Sequence, residues 1–356
     1  MESPRAIVHF DLDAFYCSVE IIRQPALKDK PVVVGGKPEE RGVVAAASYK
    51  AREFGIHSAM SMFQAQKLCK NLVILPMQRP LYQMYSRIVM GILKTASPVI
   101  EQVSIDEAYL DFTSFTKDWH AVIPTLRALQ TKIQRDIGLG NSMGFATNKM
   151  VAKIASDYHK PNGLTIVEPG EEAAFLAPLT VRKIPGIGPK MSEKLEILGI
   201  QRVGELAKIS PKELEQKFGK WGIEMARWAN GIDDRPVMTE RETKSISQER
   251  TFVRDISDPD ELDGVLVKLC SILATQLLAE KVQALTIQIK LRWPDFSTVT
   301  RQLTLTDATN AEAVLIQAAR TLLSRVWLPG NPVRLFGVGC SNLKDAGGQL
   351  TIPGLN

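Results

Sequence analysis

Hydrophobic positions along the chain change period several times, and the changes outline its elements. Residues 6–10 (AIVHF) form a short apolar run that stops at a carboxylate, Asp11, as a buried strand would. Apolar runs at PVVVGG and GVVAAA predict two more strands, and SYKAREFG and SMFQAQKLC predict short helices before about Pro80. From Leu81 the residues Leu81, Tyr85, Ile88 and Ile92 recur at helical spacing. PVIEQVSIDEAYLDF then alternates, with Ala108, Leu110 and Phe112 on one face, and reads as a β-hairpin. A second amphipathic helix runs through Val122, Leu126, Leu129, Ile133 and Ile137, followed by a strand at SMGFA and a helix at KMVAKIASDY. With 15–80 set aside as an inserted lobe, the order is β-α-β-β-α-β. That order predicts a four-stranded antiparallel sheet backed by two helices.

Residues 171–232 are helical with short breaks, around IPGIGPKMSEKL. The following stretch, 233–243, is charged, aperiodic and interrupted by a proline, and predicts an exposed linker. Beyond it the β-α-β-β-α-β order returns over 244–343. In ALTIQIKLRW one face carries Leu285, Ile287, Ile289 and Leu291 and the other Thr286, Gln288, Lys290 and Arg292. An apolar face on helices and a polar, cationic face in solvent would suit a phosphate backbone. A merely solvated face fits the same pattern. Residues 344–356 are Gly-rich and predict a flexible tail. The fold class is therefore α+β, in several domains.

Composition narrows the function little. The 44 basic and 39 acidic residues leave a net charge of +5, and no segment exceeds the +3 of residues 1–81. Any nucleic-acid surface must be built by sorting charge onto faces. Cys17, Cys69, Cys270 and Cys340 form no CxxC pair, and His9, His57, His120 and His159 have no metal-ligand spacing, which argues against disulfide scaffolds and zinc sites. No run reaches about 18 uninterrupted apolar residues. MESPRAIVHFDLD lacks an apolar signal core, so a cytoplasmic protein without a membrane span is expected.

The carboxylates carry the chemistry. Asp11 ends the first strand, and Asp106 and Glu107 sit in a tight hairpin expected in the same sheet. Three converging carboxylates repel unless cations neutralise them, and hard divalent ions with oxygen ligands are the natural answer. A pair of such ions is the usual device for in-line phosphoryl or nucleotidyl transfer. Acids placed at turns and strand ends for solubility are the plain alternative. Three other motifs fail on context. Asp11-Leu12-Asp13 resembles the DxD start of haloacid-dehalogenase-type phosphatases, but Phe15 stands where that family wants Thr or Val. Gly140-Asn141-Ser142-Met143-Gly144 fits GxSxG, yet Ser142 opens a strand instead of a strand-to-helix elbow. Gly186-Ile187-Gly188 lacks the third glycine and preceding strand of a dinucleotide loop.

HFDLDAFYCSVE, VAAASYKAREFGI, SIDEAYLDF, KPNG, IPGIGPKMSEKL and KSIS occur in one order, and together they resemble the Y-family DNA polymerases of the DinB type over about Ala6 to Leu343. The resemblance implies a right-hand-like polymerase: palm 1–14 and 82–170, fingers 15–81, thumb 171–232 with a helix-hairpin-helix, linker 233–243, and little finger 244–343. It implies that Asp11, Asp106, Glu107 and the Leu12 carbonyl hold two Mg²⁺ ions, with Asp11, Asp106 and Glu107 catalytic. Tyr16 resembles the aromatic steric gate beneath the sugar. Tyr49, Arg52 and Lys160 resemble the groups that bind the incoming triphosphate, a task to which the arginine fork is suited. Gly186, Gly188 and Lys190, with Lys194 nearby, resemble a non-specific phosphate-backbone site. Lys290 and Arg292 on the little finger would face the duplex. Gln349 and Leu350 in QLTIPGL resemble a sliding-clamp peptide, although Pro353 stands where an aromatic is usual. Ala46 departs from relatives that carry a hydroxyl near the nascent base pair.

The expectation is a template-directed, low-fidelity translesion polymerase. It would add dNMP to a primer 3′-hydroxyl with release of pyrophosphate, without a proofreading exonuclease and as a monomer. Its partners would be primer-template DNA, dNTPs and a sliding clamp. The rival from another class is a catalytically silent DNA-binding or clamp-associated scaffold.

Overall fold

A computed structural model describes residues 4–97, 99–115, 118–240 and 242–346. The chain divides into two compact units: residues up to Glu240, apart from Lys37–Gly42 and Ser61–Phe63, and a second unit of those two short pieces with the chain from Arg241 onward.

The first unit begins with β1 (Ile7–Leu12), α1 (Phe15–Arg23), β2 (Val32–Gly35), β3 (Val44–Ala47), α2 (Tyr49–Arg52), α3 (Met62–Leu68) and β4 (Val73–Leu75). It continues with α4 (Arg79–Ala96), β5 (Ile100–Gln102), β6 (Glu107–Asp111), α5 (Val122–Ile137), β7 (Asn141–Ala146), α6 (Lys149–Tyr158) and β8 (Leu164–Ile166). The main sheet has the order β5-β6-β1-β7-β8. β1 is its centre, antiparallel to both neighbours, and all six of its residues are buried.

Alternation along β1 explains why both faces are covered. Val8, Phe10 and Leu12 point into the core built with Val89 and Leu93 of α4 and Leu126 and Ile133 of α5. Ile7 belongs to the opposite core, with Met150, Val151 and Ile154 of α6. A side chain such as Phe10, with no exposed surface, contributes roughly 1.5–3 kcal/mol by burial. The sequence reading placed four antiparallel strands on one helical layer. The structure adds β8, parallel to β7, and puts α6 on the second face. β8 and β4 are three residues each, too short for alternation to register; β4 pairs parallel with β2 in a small β3-β2-β4 sheet.

Helices α7 (Glu172–Leu176), α8 (Pro189–Ile197), α9 (Val203–Leu206), α10 (Pro211–Phe218) and α11 (Lys220–Ala229) complete this unit, and their apolar residues join the core that holds α6. The segment after α11 is tied to the first unit at two buried residues. Asp233 is buried, accepts the N–H of Met150 at 3.0 Å and pairs with Arg235; Val237 is buried as well. Asn148 caps α6 and also donates to the Gly231 carbonyl at 2.8 Å, while Glu101 accepts the N–H of Met238. Charge and proline suggested solvent, and one of those charges, Asp233, instead satisfies the first turn of a helix. Residues 234–236 and 238–240 are exposed.

In the second unit β9 (Ser245–Ile256), α12 (Pro259–Ala279), β10 (Val282–Arg292), β11 (Thr298–Thr309), α13 (Glu312–Ser324) and β12 (Val333–Asp345) follow the predicted element order. The strand order is β11-β10-β12-β9, so the last strand is central and the first is an edge. α12 is long and apolar enough by composition to cross a membrane. Its leucines 262, 266, 269, 273 and 277 are spent on the core of this unit.

Candidate active site

β1 and β6 bring the carboxylates together. Their register pairs Asp11 with Glu107, and the N–H of Leu12 donates to the Asp106 carbonyl at 3.1 Å. Asp11 and Glu107 thereby share the face covered by α6. Cations meet them there. Lys160 lies 2.7 Å from Asp11 Oδ1, and Lys153 on α6 donates to both oxygens of Glu107 at 2.9 and 2.8 Å. Ser104 holds Asp106 Oδ1 at 2.6 Å.

Burial, with Glu107 and Asp106 nearby, raises the Asp11 pKa to about 7 in spite of Lys160. Lys160 stays cationic, because Asp11 more than offsets the effect of its own burial. His9, buried behind the site, is lowered to about 4 by desolvation. Ser156 donates to the Lys153 carbonyl, so its oxygen accepts from His9 Nδ1–H at 2.7 Å, which leaves Nε2 as a lone pair. That atom stands 3.9 Å from Glu107, outside hydrogen-bond reach. Lys153, which donates to both oxygens, holds the Glu107 carboxyl below the ordinary range.

Two cavities meet at Asp11 and Lys160. One, about 250 Å³, is lined by Tyr16, Ala46, Tyr49, Arg52 and Asp106 together with Leu12, Asp11 and Lys160. The sequence-predicted nucleotide residues Tyr16, Tyr49, Arg52 and Lys160, drawn from three separate segments, thus surround one space. Tyr16 stacks on Tyr82 at 4.3 Å, and Tyr82 donates to the fully buried Glu20 at 2.8 Å. Arg52 lies 4.7 Å over the Tyr49 ring and donates to the Ala47 carbonyl. Tyr49 and Arg52 sit together because Ser48 caps α2 and also holds the N–H of Val32. The other cavity, about 530 Å³, runs past Glu107 and Lys153 to Arg182, Lys183, Gly186 and Gly188.

The glycines of IPGIG divide in role. Gly186 has φ +91, and a Cβ there would lie 2.7 Å from the Trp221 ring, so its small size serves packing. Gly188, the N-cap of α8, faces open space, with Lys190 and Lys194 beside it. On the second unit Lys290 reaches across Gly337 to Glu249 at 2.8 Å and is neutralised there, while Arg292 bonds the Thr298 hydroxyl and keeps its charge. Gln349 and Leu350 lie outside the described residues.

The donor set suits a hard divalent cation: oxygen ligands, more carboxylates than ammonium groups, and Asp11 under-neutralised by Lys160. Among the described residues, however, no three His, Cys, Asp or Glu side chains stand at metal-holding spacing, and Lys153 and Lys160 engage Glu107 and Asp11.

The chain matches the impB/mucB/samB family over residues 10–157, that family's C-terminal domain over 243–352, and the thumb domain of DNA polymerase-iota over 182–233. It is 41% identical to DNA polymerase IV of Dehalococcoides mccartyi over 98% of this chain and 90% of the relative. DNA polymerase IV of Methanoculleus marisnigri is 43% identical over 96% of this chain and 95% of its own length. The chain belongs to the Y-family DNA polymerases. A chimera of the Y-family polymerases Dbh and Dpo4 superposes with a TM-score of 0.86 at 28% identity, covering 96% of this chain and 99% of the chimera. An insertion ternary complex of Dbh DNA polymerase gives 0.68 at the same identity and coverage. This Y-family member is accordingly a translesion, DNA-directed DNA polymerase, of a class that depends on divalent metal.

Lys153, His9, Asp13 and Tyr82 were not anticipated as site residues. Lys153 left no signal in the sequence, since it is the half-exposed residue of a helix that is otherwise buried from Lys149 to Ser156.

Proposed function

We propose that the junction of the two cavities is where a primer 3′-hydroxyl meets the α-phosphorus of a deoxynucleoside triphosphate. The observation that carries this reading is the gathering of Tyr16, Tyr49, Arg52 and Lys160 around one space that opens onto Asp11 and Asp106. Arg52 and Lys160 hold the β- and γ-phosphates, and the Tyr16 ring, braced by Tyr82, leaves no room for a 2′-hydroxyl. Asp11, Asp106, Glu107 and the Leu12 carbonyl would hold two Mg²⁺ ions, which when bound lower the pKa of the primer hydroxyl and offset charge on the leaving pyrophosphate. Lys160 then has phosphate oxygens in reach in place of Asp11, and stays cationic throughout.

The main sheet serves as palm, residues 15–81 as fingers, 171–232 as thumb and 244–343 as little finger. Primer-template DNA enters along the cavity that reaches Gly188, where backbone N–H groups of α8 and Lys190 meet a phosphate. Small residues of the fingers, Ala45 and Ala46, line the cavity and would press lightly on the nascent pair, which supports low fidelity. The enzyme works as a monomer, tethered to a sliding clamp through Gln349 and Leu350.

Primer extension on a defined template, wild type beside Asp106→Ala, tests the site. Extension by the wild type alone, with DNA binding kept by both, is the expected result. DNA binding without extension by either protein would favour the silent scaffold.

A further inference from the structure

Asp13 has no part in the chemistry above. It follows β1, two residues past Asp11, and is 3% exposed. Among the described residues no lysine or arginine forms an ion pair with it, the usual recourse of a buried carboxylate. Hydrogen bonds from three segments replace one. Tyr49 donates its hydroxyl to Oδ1 at 3.1 Å. Ser142 on β7 reaches both oxygens, at 2.9 and 3.1 Å. The N–H of Asn162 meets Oδ2 at 2.7 Å.

Two of these donors lie on elements that carry triphosphate-binding groups. Tyr49 opens α2, which ends at Arg52 and presents that guanidinium over the Tyr49 ring. Asn162 stands two residues past Lys160, in the left-handed region at φ 57. Ser142 pins the arrangement to the main sheet, since it also accepts the N–H of Gly163 at 3.3 Å. Asp13 is itself tied down, through its N–H to the Gly140 carbonyl at 3.0 Å and through its own carbonyl to Ser18 at 2.6 Å.

We propose that Asp13 is a positioning residue. It fixes the α2 cation and the Lys160 ammonium at a set separation, so that the triphosphate site is formed before the nucleotide arrives. The proposal rests on the reading of Tyr49, Arg52 and Lys160 as the triphosphate site. A site held in advance spends less binding free energy on ordering its side chains. Asp13 touches neither nucleotide nor primer, so its loss acts on nucleotide affinity and leaves the grip on DNA intact.

Asp13→Asn keeps the shape and turns one acceptor into a donor that faces other donors. In single-nucleotide incorporation it should raise the KM for dNTP about tenfold, the scale of one lost hydrogen bond to a charged acceptor. Expected alongside are a kcat changed far less and an unchanged DNA Kd by fluorescence anisotropy. Tyr49→Phe added to Asp13→Asn should cost less than Tyr49→Phe alone, because both act through one contact. An unchanged KM, or a loss shared equally between KM, kcat and DNA affinity, overturns the proposal. Should Asp13→Asn fail to fold, Ser142→Ala decides: it removes one donor and touches no nucleotide group, and a KM rise of about threefold supports the proposal while an unchanged KM refutes it. Arg52→Ala and Lys160→Ala separate the two readings. If they leave the KM for dNTP alone, the triphosphate site itself is misplaced; if they raise it and Asp13→Asn does not, only the role of Asp13 fails.

Discussion

Replacing Gly186 and Gly188 one at a time by alanine should separate a glycine that the fold needs from one that DNA needs. Gly186 holds φ +91, where an L side chain costs about 1–2 kcal/mol. Its new methyl would stand 2.7 and 2.9 Å from two ring carbons of Trp221. That ring is braced edge-on against Trp228 at 5.1 Å, so it cannot simply step back, and overpacking of this kind costs about 1–3 kcal/mol more. The total, roughly 2–5 kcal/mol, is a large share of the stability of a marginal domain. It should lower the thermal midpoint by at least about 4 °C. Gly188 has φ −82 and no atom within 4 Å of its would-be Cβ, so Gly188→Ala should melt as the wild type does. Its methyl would instead stand at the open N-terminus of α8, where a phosphate must approach the backbone, and DNA affinity should fall about threefold to tenfold at low salt. Urea or thermal unfolding read beside fluorescence anisotropy on a primer-template duplex covers both variants. A Gly186→Ala protein as stable as the wild type would refute the packing argument. A Gly188→Ala protein with unchanged DNA affinity would remove α8 from the DNA interface.

Three further outcomes are expected. Tyr16→Ala should relax discrimination against ribonucleotides by about a hundredfold, the scale on which a close-fitting apolar wall rejects one added hydroxyl, as read from kcat/KM for rNTP over dNTP. Removal of divalent metal with EDTA should stop primer extension without lowering the thermal midpoint, because Glu107 and Asp11 each keep a lysine partner, Lys153 and Lys160, when no metal is bound; a large loss of stability would contradict those ion pairs. Asp233→Asn should destabilise the protein in a pH-dependent way. Burial alone would raise the Asp233 pKa, but Arg235 and the N–H of Met150 hold it below the ordinary value. The stabilisation is therefore complete above the unfolded value near pH 4 and disappears as pH falls through the lower folded value. Wild type and variant should converge in acid, and a constant difference across that window would dismiss the ion pair.

How much of this was legible in the chain depends on the range of the forces involved. Local periodicity set the kind and order of nearly every element, because a helix or strand is recognised by which neighbours along the chain are apolar. The candidate carboxylates and nucleotide contacts could be picked out for a related reason: Asp11, Tyr16, Tyr49, Arg52, Asp106, Glu107 and Lys160 stand in short motifs, and the cavity at Tyr16 gathers all of these but Glu107, which lines the adjoining one. What pattern could not convey was partnership across the fold. Two segments with the same β-α-β-β-α-β order reach different sheets, one with its first strand central and the other with its last, since strand neighbours are chosen by long-range packing. Asp13 and Ser142 were met first as parts of two misleading motifs, a DxD and a GxSxG, and the folded chain joins them in one hydrogen bond. Lys153 reaches Glu107, and Asp233 satisfies the start of α6, only because residues 46 and 83 positions apart are brought together. The sequence alone determined which chemistry the chain carries; tertiary structure decided which charges meet, because the cost of leaving a buried charge unpaired is imposed only once water has been excluded.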